Sequence, residues 1–265
     1  MPYGDEMLLG AIQGLTEFLP VSSSGHLQAG ERWLDSPLAR DLSFDVFVHL
    51  ATLVAVLWVF RRDFALLVRS VFEPGSEHRR LLGSVIVGAV PAGIVGLLLK
   101  DVIESLPSRW PYLVAVCWLV TAASLYSLRF GHRETRPSVT LPAALWIGAF
   151  QAVALLPGIS RSGITICAAL WIGCRREDAA RFSFLCATPL IAGAAGLELF
   201  EVYRAGGPPA GATWTGYLIG GGVALITGYI ALTILLRMLK AGALHYWAYY
   251  LVVVAGVYSG WLAAH

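Results

Sequence analysis

Residues 8–26 read LLGAIQGLTEFLPVSSSGH, an apolar segment that stops at Pro20 and continues into three serines and a glycine. A helix needs about 20 apolar residues to cross the hydrocarbon core of a bilayer, and the part before the proline is too short for that. Proline and glycine break a helix, while serine hydroxyls can satisfy the backbone groups that the break leaves free. The stretch therefore predicts a re-entrant hairpin, which enters the membrane and leaves it on the same side.

A second segment of the same kind covers residues 141–163, which read LPAALWIGAFQAVALLPGISRSG. Both segments are broken by a proline and then by a run rich in serine and glycine. They resume as short apolar helices, over Leu27–Leu34 and Ile164–Cys174. The two also match in sequence: GAIQ at 10–13 parallels GAFQ at 148–151, and VSSSG at 21–25 parallels ISRSG at 159–163. The match predicts a second re-entrant hairpin and an internal repeat.

The whole chain has the composition of a membrane protein. Of its 265 residues, 57% are hydrophobic and only 14% are charged, and its mean hydropathy is +0.68, which leaves too few charges to cover a soluble domain. Six further segments are long enough to cross a bilayer: Phe44–Phe60, Leu81–Leu99, Tyr112–Phe130, Phe182–Phe200, Gly216–Leu236 and Tyr246–Ala264. These segments predict one all-α integral membrane domain over residues 1–265, with six transmembrane helices and two re-entrant helical hairpins.

Each predicted half contains one hairpin followed by three spans, with repeat one at about residues 1–130 and repeat two at about residues 137–265. Three is odd, so the second half must be inverted relative to the first, as in inverted-topology transporter folds. Basic residues then divide thirteen to five, which makes the richer side cytoplasmic and places both termini and the first hairpin outside. The thirteen are Arg61, Arg62, Arg69, Arg79, Arg80, Arg129, Arg133, Arg136, Arg175, Arg176, Arg181, Arg237 and Lys240, and the five are Arg32, Arg40, Lys100, Arg109 and Arg204.

The two breaks form the predicted functional site. Interrupted helices at matching places in two halves indicate a binding site near the membrane midplane, and helix N-termini after each break favour an anion such as phosphate. Arg161, inside the second break, can bind a phosphate through two parallel hydrogen bonds. The residues predicted to bind the phosphate are Ser22, Ser24, Ser160, Arg161, Ser162 and Gly163.

Glu17 and His26 are the predicted acid–base residues. Glu17 lies in an apolar arm four residues after Gln13, so a helix places both on one face, and a carboxylate at membrane depth is costly enough to indicate function. The alternative is a purely structural pair between Glu17 and Arg161. His26 follows Ser23 by three residues on a helical turn, where the imidazole can take a proton from Ser23 or from a water molecule.

Other reactive residues are assigned structural roles. His49, near the start of a span, is expected to pack or hydrogen-bond near the site rather than to carry out chemistry.

No basic block resembles a nucleic-acid-binding surface, so nucleic acid is not an expected partner. Asp5 and Glu6 stand where a signal peptide has basic residues, which predicts no cleaved signal. The four cysteines form no C-x-x-C pair and are predicted to be packing residues: Cys117, Cys167, Cys174 and Cys186.

On these residues, the sequence resembles the BacA-type undecaprenyl-diphosphate phosphatases over essentially the whole chain. Residues 13–26, QGLTEFLPVSSSGH, are similar to the first signature of that family, and residues 157–163, PGISRSG, are similar to the second. The resemblance implies removal of the terminal phosphate from undecaprenyl diphosphate at the outer face of the bacterial inner membrane. The product, undecaprenyl phosphate, carries cell-wall sugars.

The resemblance also implies a divalent cation, Mg²⁺ or Ca²⁺, with Gln13 and Glu17 as its metal ligands. Some relatives have two glutamates at this spacing, so this chain has one carboxylate fewer. The expected partners are the polyprenyl-diphosphate substrate and membrane lipids, and a homodimer is compatible with the sequence.

Two schemes for the reaction remain open on the sequence. Ser23 attacks the phosphate with His26 as its base, or His26 activates water directly while Ser23 binds the phosphate. In both schemes Arg161 binds the terminal phosphate, and Glu17 holds the cation or orients a water molecule. Two transport functions also remain open: a flippase or transporter of undecaprenyl phosphate or a related lipid phosphate, and an ion-coupled carrier of a small anion.

Overall fold

The computed structural model describes residues 3–34, 42–73, 75–131, 134–135, 138–204 and 213–265. These residues form α-helices with no strand among them, together with one turn of 3-10 helix at Leu128–Phe130. The helices are α1 (Gly4–Phe18), α2 (Ser23–Leu34), α3 (Leu42–Val59), α4 (Arg61–Ser70), α5 (Glu77–Arg109), α6 (Leu113–Ser127), α7 (Leu141–Val153), α8 (Arg161–Trp171), α9 (Arg176–Arg204), α10 (Trp214–Lys240) and α11 (Tyr246–Ala264).

The protein is an all-helical, multi-pass membrane protein, as the sequence predicts. Among the described residues, five helices are long and apolar enough to cross a membrane: α5, α6 with the 3-10 turn that follows it, α9, α10 and α11. The first predicted span corresponds to α3, which bends by 78° into α4 at Phe60, so the pair makes a sixth span if it is taken as one. Which faces of the membrane the helix ends reach stays a prediction; Arg40, Arg133 and Arg136 of the charge count lie outside the described residues.

The first predicted break separates α1 from α2. Leu19 leaves the helical conformation, Pro20 has no N–H to continue the hydrogen-bond ladder, and Ser22 has a left-handed backbone with φ 72°. Ser23 then begins the next helix. The interruption is therefore where the sequence predicts it, and it places consecutive serines at the start of α2.

The second predicted break separates α7 from α8. Ser160 caps α8, because its hydroxyl accepts a hydrogen bond from the backbone N–H of Gly163 at 3.1 Å. Gly158 has φ 98°, and a side chain there would collide with Val114 and Cys117 of α6, so only glycine fits. α8 is buried from Ser162 to Leu170, and Arg161 is therefore the first residue of a helix whose middle lies inside the protein.

The first helix of each interrupted pair packs on a long helix of the other half of the chain. α1 lies along α10, and α7 lies along α5. A side chain on Gly10 would overlap the carbonyl oxygen of Gly220, and one on Gly148 would overlap that of Gly88, so both backbones approach closely at equivalent glycines. These reciprocal contacts favour the predicted inverted repeat, whose boundaries and re-entrant arrangement stay predictions.

Candidate active site

One cavity lies between the two breaks and has a volume of about 290 Å³. Both halves of the chain contribute to its wall, which combines polar and apolar residues. The polar residues are Glu17, Ser22, Ser23, Ser24, His49, Gln151, Ser160 and Arg161. The apolar residues are Ala92, Ala154, Leu155, Ile159, Leu190, Ile191, Ala194 and Ala195. The cavity therefore suits a ligand with an anionic head and a hydrocarbon tail.

Glu17 is the centre of the polar residues in this wall. Its carboxylate, only 6% exposed, forms an ion pair with Arg161 from the other half of the chain. Ser23 donates its hydroxyl proton to Oε2 of Glu17 at 2.6 Å, and the amide of Gln13 donates to the same oxygen at 3.2 Å. His49 is the fourth neighbour, with Nε2 3.8 Å from Oε2. The structure thus brings together three of the four predicted catalytic residues: Glu17, Ser23 and Arg161.

Hydrogen bonds between serines and backbone groups hold the two breaks together. Ser162 donates to the carbonyl oxygen of Phe18 at 2.9 Å, which ties the start of α8 to the end of α1. The hydroxyls of Ser22 and Ser24 lie 3.2 Å apart. Ser162 and Gly163 use their donors inside the protein, whereas Ser22, Ser24 and Ser160 line the cavity.

His26 lies beside the site but does not line the cavity. Its Nδ1 is 2.8 Å from the carbonyl oxygen of Ser22, and its Nε2 is 2.9 Å from the hydroxyl of Tyr250 in α11. Helical spacing predicts a shared face for His26 and Ser23, but these two partners turn the imidazole toward α11. The proton acceptor in contact with the Ser23 hydroxyl is Glu17.

Three residues at or beside the site, His49, Gln151 and Tyr250, are not among those that the sequence predicts to act there. His49 lines the cavity, and its Nδ1 bonds to the carbonyl oxygen of Asp45 at 2.8 Å. Gln151 also lines it, buried to 1% exposure, and donates to the sulfur of Cys186 at 3.4 Å. The signal for Gln151 was its alignment with Gln13 in the repeat. Tyr250 carried no signal, because aromatic residues are common throughout α11.

Two residues of the site, Gln13 and Glu17, have oxygens that could take part in holding a divalent cation. The described residues contain no group of three or more His, Cys, Asp or Glu side chains that could hold a metal ion by itself. However, Oε1 of Gln13 is buried with no hydrogen-bond partner among them, and Glu17 lies next to it. Mg²⁺ commonly takes one or two carboxylates and completes its shell with substrate phosphates and water. Gln13 and Glu17 match this pattern. The four cysteines are buried and none is in a disulfide, in agreement with a packing role.

Comparison with known proteins supports the reading of these signatures. A family model described as bacitracin resistance protein BacA matches residues 6–257. The chain is 41% identical over 247 residues to an undecaprenyl-diphosphatase of Thermodesulfovibrio yellowstonii, covering 92% of this chain and 91% of the relative. It is 42% identical over 259 residues to an undecaprenyl-diphosphatase of Geobacter metallireducens, covering 94% and 95%. It is also 38% identical over 255 residues to undecaprenyl-diphosphatase 3 of Bacillus cereus, covering 94% and 93%.

Proposed function

The chain belongs to the BacA family, and we propose that it hydrolyses undecaprenyl diphosphate to undecaprenyl phosphate and inorganic phosphate. The observation that carries the proposal is the contact of Glu17 with both Ser23 and Arg161, which joins a proton acceptor, a nucleophile and a phosphate-binding cation in one cavity. The names of the relatives favour this reaction over the flippase alternative.

The contacts support a reaction in which Ser23 is the nucleophile. Its Oγ attacks the terminal phosphorus while its proton passes to Glu17, the group it already contacts at 2.6 Å. The bond between that phosphorus and the bridging oxygen breaks, and the leaving undecaprenyl phosphate takes up the proton from Glu17, which restores the carboxylate. Water then attacks the phosphoserine, which releases inorganic phosphate and restores the Ser23 hydroxyl. In the direct scheme the sequence predicts His26 as the base; because both nitrogens of that ring have other partners, Glu17 takes the proton of the attacking water molecule instead.

Arg161 supplies positive charge where the transferred phosphoryl group has to lie. One Nη of its guanidinium pairs with Glu17, and the planar fork has further N–H donors for two phosphate oxygens. The N-termini of α2 and α8 point at the same cavity and add partial positive charge. Neutralising and orienting the phosphoryl group is the main requirement of phosphoryl transfer.

A divalent cation would be held by Glu17 and Gln13 together with oxygens of the diphosphate. When bound, such a cation neutralises charge on the phosphates and helps the bridging oxygen to leave. The protein side of this site is weak in charge, because Gln13 contributes an amide oxygen in place of a carboxylate.

Gln13→Glu is expected to lower the Mg²⁺ concentration that gives half-maximal activity by about tenfold, since a second carboxylate adds a charged ligand. Without Mg²⁺ the same change should lower the unfolding temperature, because two buried carboxylates four residues apart on α1 repel each other. A magnesium titration of activity and thermal unfolding with and without Mg²⁺ check both effects. An unchanged half-maximal concentration would argue against Gln13 as a ligand.

The polyprenyl tail is proposed to lie along the apolar residues of the cavity wall. These include Ala92 of α5 and Leu190, Ile191, Ala194 and Ala195 of α9. Ala194 lines the cavity and is exposed, which supports an opening of the cavity at α9. A tail held here keeps most of its length in the bilayer while the diphosphate reaches Arg161.

Ala194→Trp is expected to lower kcat/KM for undecaprenyl diphosphate by about tenfold or more, because the indole fills the space beside the apolar residues of the cavity wall. The kcat/KM for a short-chain diphosphate such as farnesyl diphosphate should fall much less. Ala192→Trp is the matched control, since Ala192 is exposed on the same helix but does not line the cavity. Equal losses for both substrates in the Ala194 variant would contradict this path.

Phosphate release by purified protein in detergent tests the function itself. Detergent removes the two compartments that transport needs, so release from undecaprenyl diphosphate requires an enzyme, and its absence would favour a carrier. The basic-residue count supports an outer-face reaction at the inner membrane with both termini outside. A homodimer stays a prediction.

A further inference from the structure

Tyr250 in the last helix is joined to His26 across the two halves of the chain. Its hydroxyl lies 2.9 Å from Nε2 of the imidazole. The two rings are stacked, with centroids 5.8 Å apart and planes 7° from parallel. Trp118 of α6 also packs against the imidazole, at 5.1 Å between centroids. These contacts hold the ring of His26 in one orientation.

The partners of His26 determine where its proton is. Nδ1 lies 2.8 Å from the carbonyl oxygen of Ser22, which can only accept, so Nδ1 carries the proton. In the neutral ring Nε2 then has only a lone pair, and the hydroxyl of Tyr250 donates to it. Both nitrogens are therefore engaged, and neither is free to take a proton from Ser23.

The backbone that His26 holds is strained. Ser22 has φ 72°, a conformation that residues other than glycine adopt at some cost. Its carbonyl oxygen accepts a hydrogen bond from Nδ1 of His26 and a second one from the backbone N–H of His26 at 3.3 Å. The two bonds stabilise the peptide that joins Ser22 to Ser23.

The orientation of that peptide bears on the chemistry. In a trans peptide the carbonyl and the following N–H point in opposite directions. The carbonyl of Ser22 points into α2, so the N–H of Ser23 points out of the helix start. Ser22, Ser23 and Ser24 all line the cavity there, and an N–H so placed can donate to a phosphate oxygen as negative charge develops.

We propose that Tyr250 and His26 are positioning residues for the reaction. Together they fix the peptide between Ser22 and Ser23, so that Ser23 keeps its hydroxyl on Glu17 and its N–H toward the terminal phosphate. The inference rests on the proposed phosphatase function. Neither residue touches the reacting atoms; both act through the backbone of Ser22.

His26→Asn and His26→Ala separate positioning from proton transfer. The amide nitrogen of asparagine can take the place of Nδ1 and donate to Ser22, but an amide cannot act as a base near neutral pH. We expect His26→Ala to lower kcat about 100-fold, as loss of an aligned oxyanion donor does, and His26→Asn to stay within about tenfold of the wild type. The decrease of kcat/KM at low pH should be the same in His26→Asn as in the wild type.

Tyr250→Phe removes only the hydroxyl and keeps the stacked ring. We expect kcat to fall about tenfold with KM unchanged, the effect of losing one aligned hydrogen bond. In the His26→Asn background, where that bond is already absent, the same change should have no further effect. Tyr246→Phe is the control, because Tyr246 lies on the same helix and packs on His245.

The proposal is overturned if His26→Asn is as inactive as His26→Ala, or if its kcat/KM no longer decreases at low pH, since the imidazole would then transfer the proton itself. It is also overturned if Tyr250→Phe is silent or has equal effects in both backgrounds. An inactive wild type would overturn the phosphatase function, and this inference with it. Thermal unfolding of each variant in detergent identifies loss of activity that comes from unfolding, and the asparagine and phenylalanine variants keep the test decisive if His26→Ala does not fold.

Discussion

Arg161→Ala is expected to lower phosphate release by at least about 10³-fold, the order of effect seen when a cation on a transferred phosphoryl group is removed. Arg161 places a positively charged guanidinium in the wall of the cavity, and its ion-pair partner Glu17 comes from the other half of the chain. The substitution removes the phosphate ligand and also leaves a buried carboxylate without its cation. The second effect should destabilise the protein by about 3–5 kcal/mol at most.

Two further variants separate these effects of Arg161. Arg161→Lys keeps a positive charge near Glu17 but loses the planar fork, so it should restore most of the unfolding temperature while phosphate release stays low. Arg129→Ala is the control, since Arg129 is exposed and packs on Tyr126 outside the cavity. Both are measured by phosphate release and thermal unfolding in detergent. Substantial turnover by a folded Arg161→Ala variant would rule out the role assigned to this residue.

Ser23→Ala is expected to abolish turnover, with a loss of at least about 10³-fold, because the hydroxyl in contact with Glu17 is the proposed nucleophile. The change also removes one of the hydrogen-bond donors to the buried Glu17 carboxylate, so the unfolding temperature should fall, but less than in Arg161→Ala, which removes the ion pair. The measurement is phosphate release, with a search for phosphoserine by mass spectrometry in the wild type during turnover.

The neighbouring serines provide a matched control for this prediction. Ser24→Ala removes a hydroxyl from the same cavity wall but no contact of Glu17. Its rate of phosphate release should fall by no more than about tenfold. Near-normal turnover of Ser23→Ala would eliminate the covalent scheme and leave the direct attack of water, in which Glu17 is still the proton acceptor.

The breaks in the helices could be predicted because their causes are local. Pro20 removes a backbone donor wherever it stands in a helix, and the PGISRSG run contains a glycine that must adopt a positive φ. The convergence of Glu17 and Arg161 could also be predicted, since matching breaks in two halves have to share one site. The angle of 78° between α3 and α4 could not, because the predicted span ends at Phe60 and the charged residues after it do not fix the direction of the next helix.

The orientation of side chains around the site could not be predicted from spacing. Helical geometry places His26 near Ser23, but the ring direction depends on Tyr250, which is 224 residues away. His49 was expected only near the site, and its position in the cavity wall depends on how α3 packs on α9 and α10. Contacts between distant helices decide these details, and a single sequence does not encode them in any short pattern.

Because α1 packs on α10 and α7 packs on α5, the two helix pairs must dock at different times during synthesis. When α7 leaves the ribosome, its partner is already in the membrane. α1 emerges first, yet the glycine it docks against belongs to a helix near the end of the chain. α1 must therefore wait for α10 until translation is almost complete, and truncation before Trp214 should leave Gln13 and Glu17 of α1 exposed to quality-control proteases.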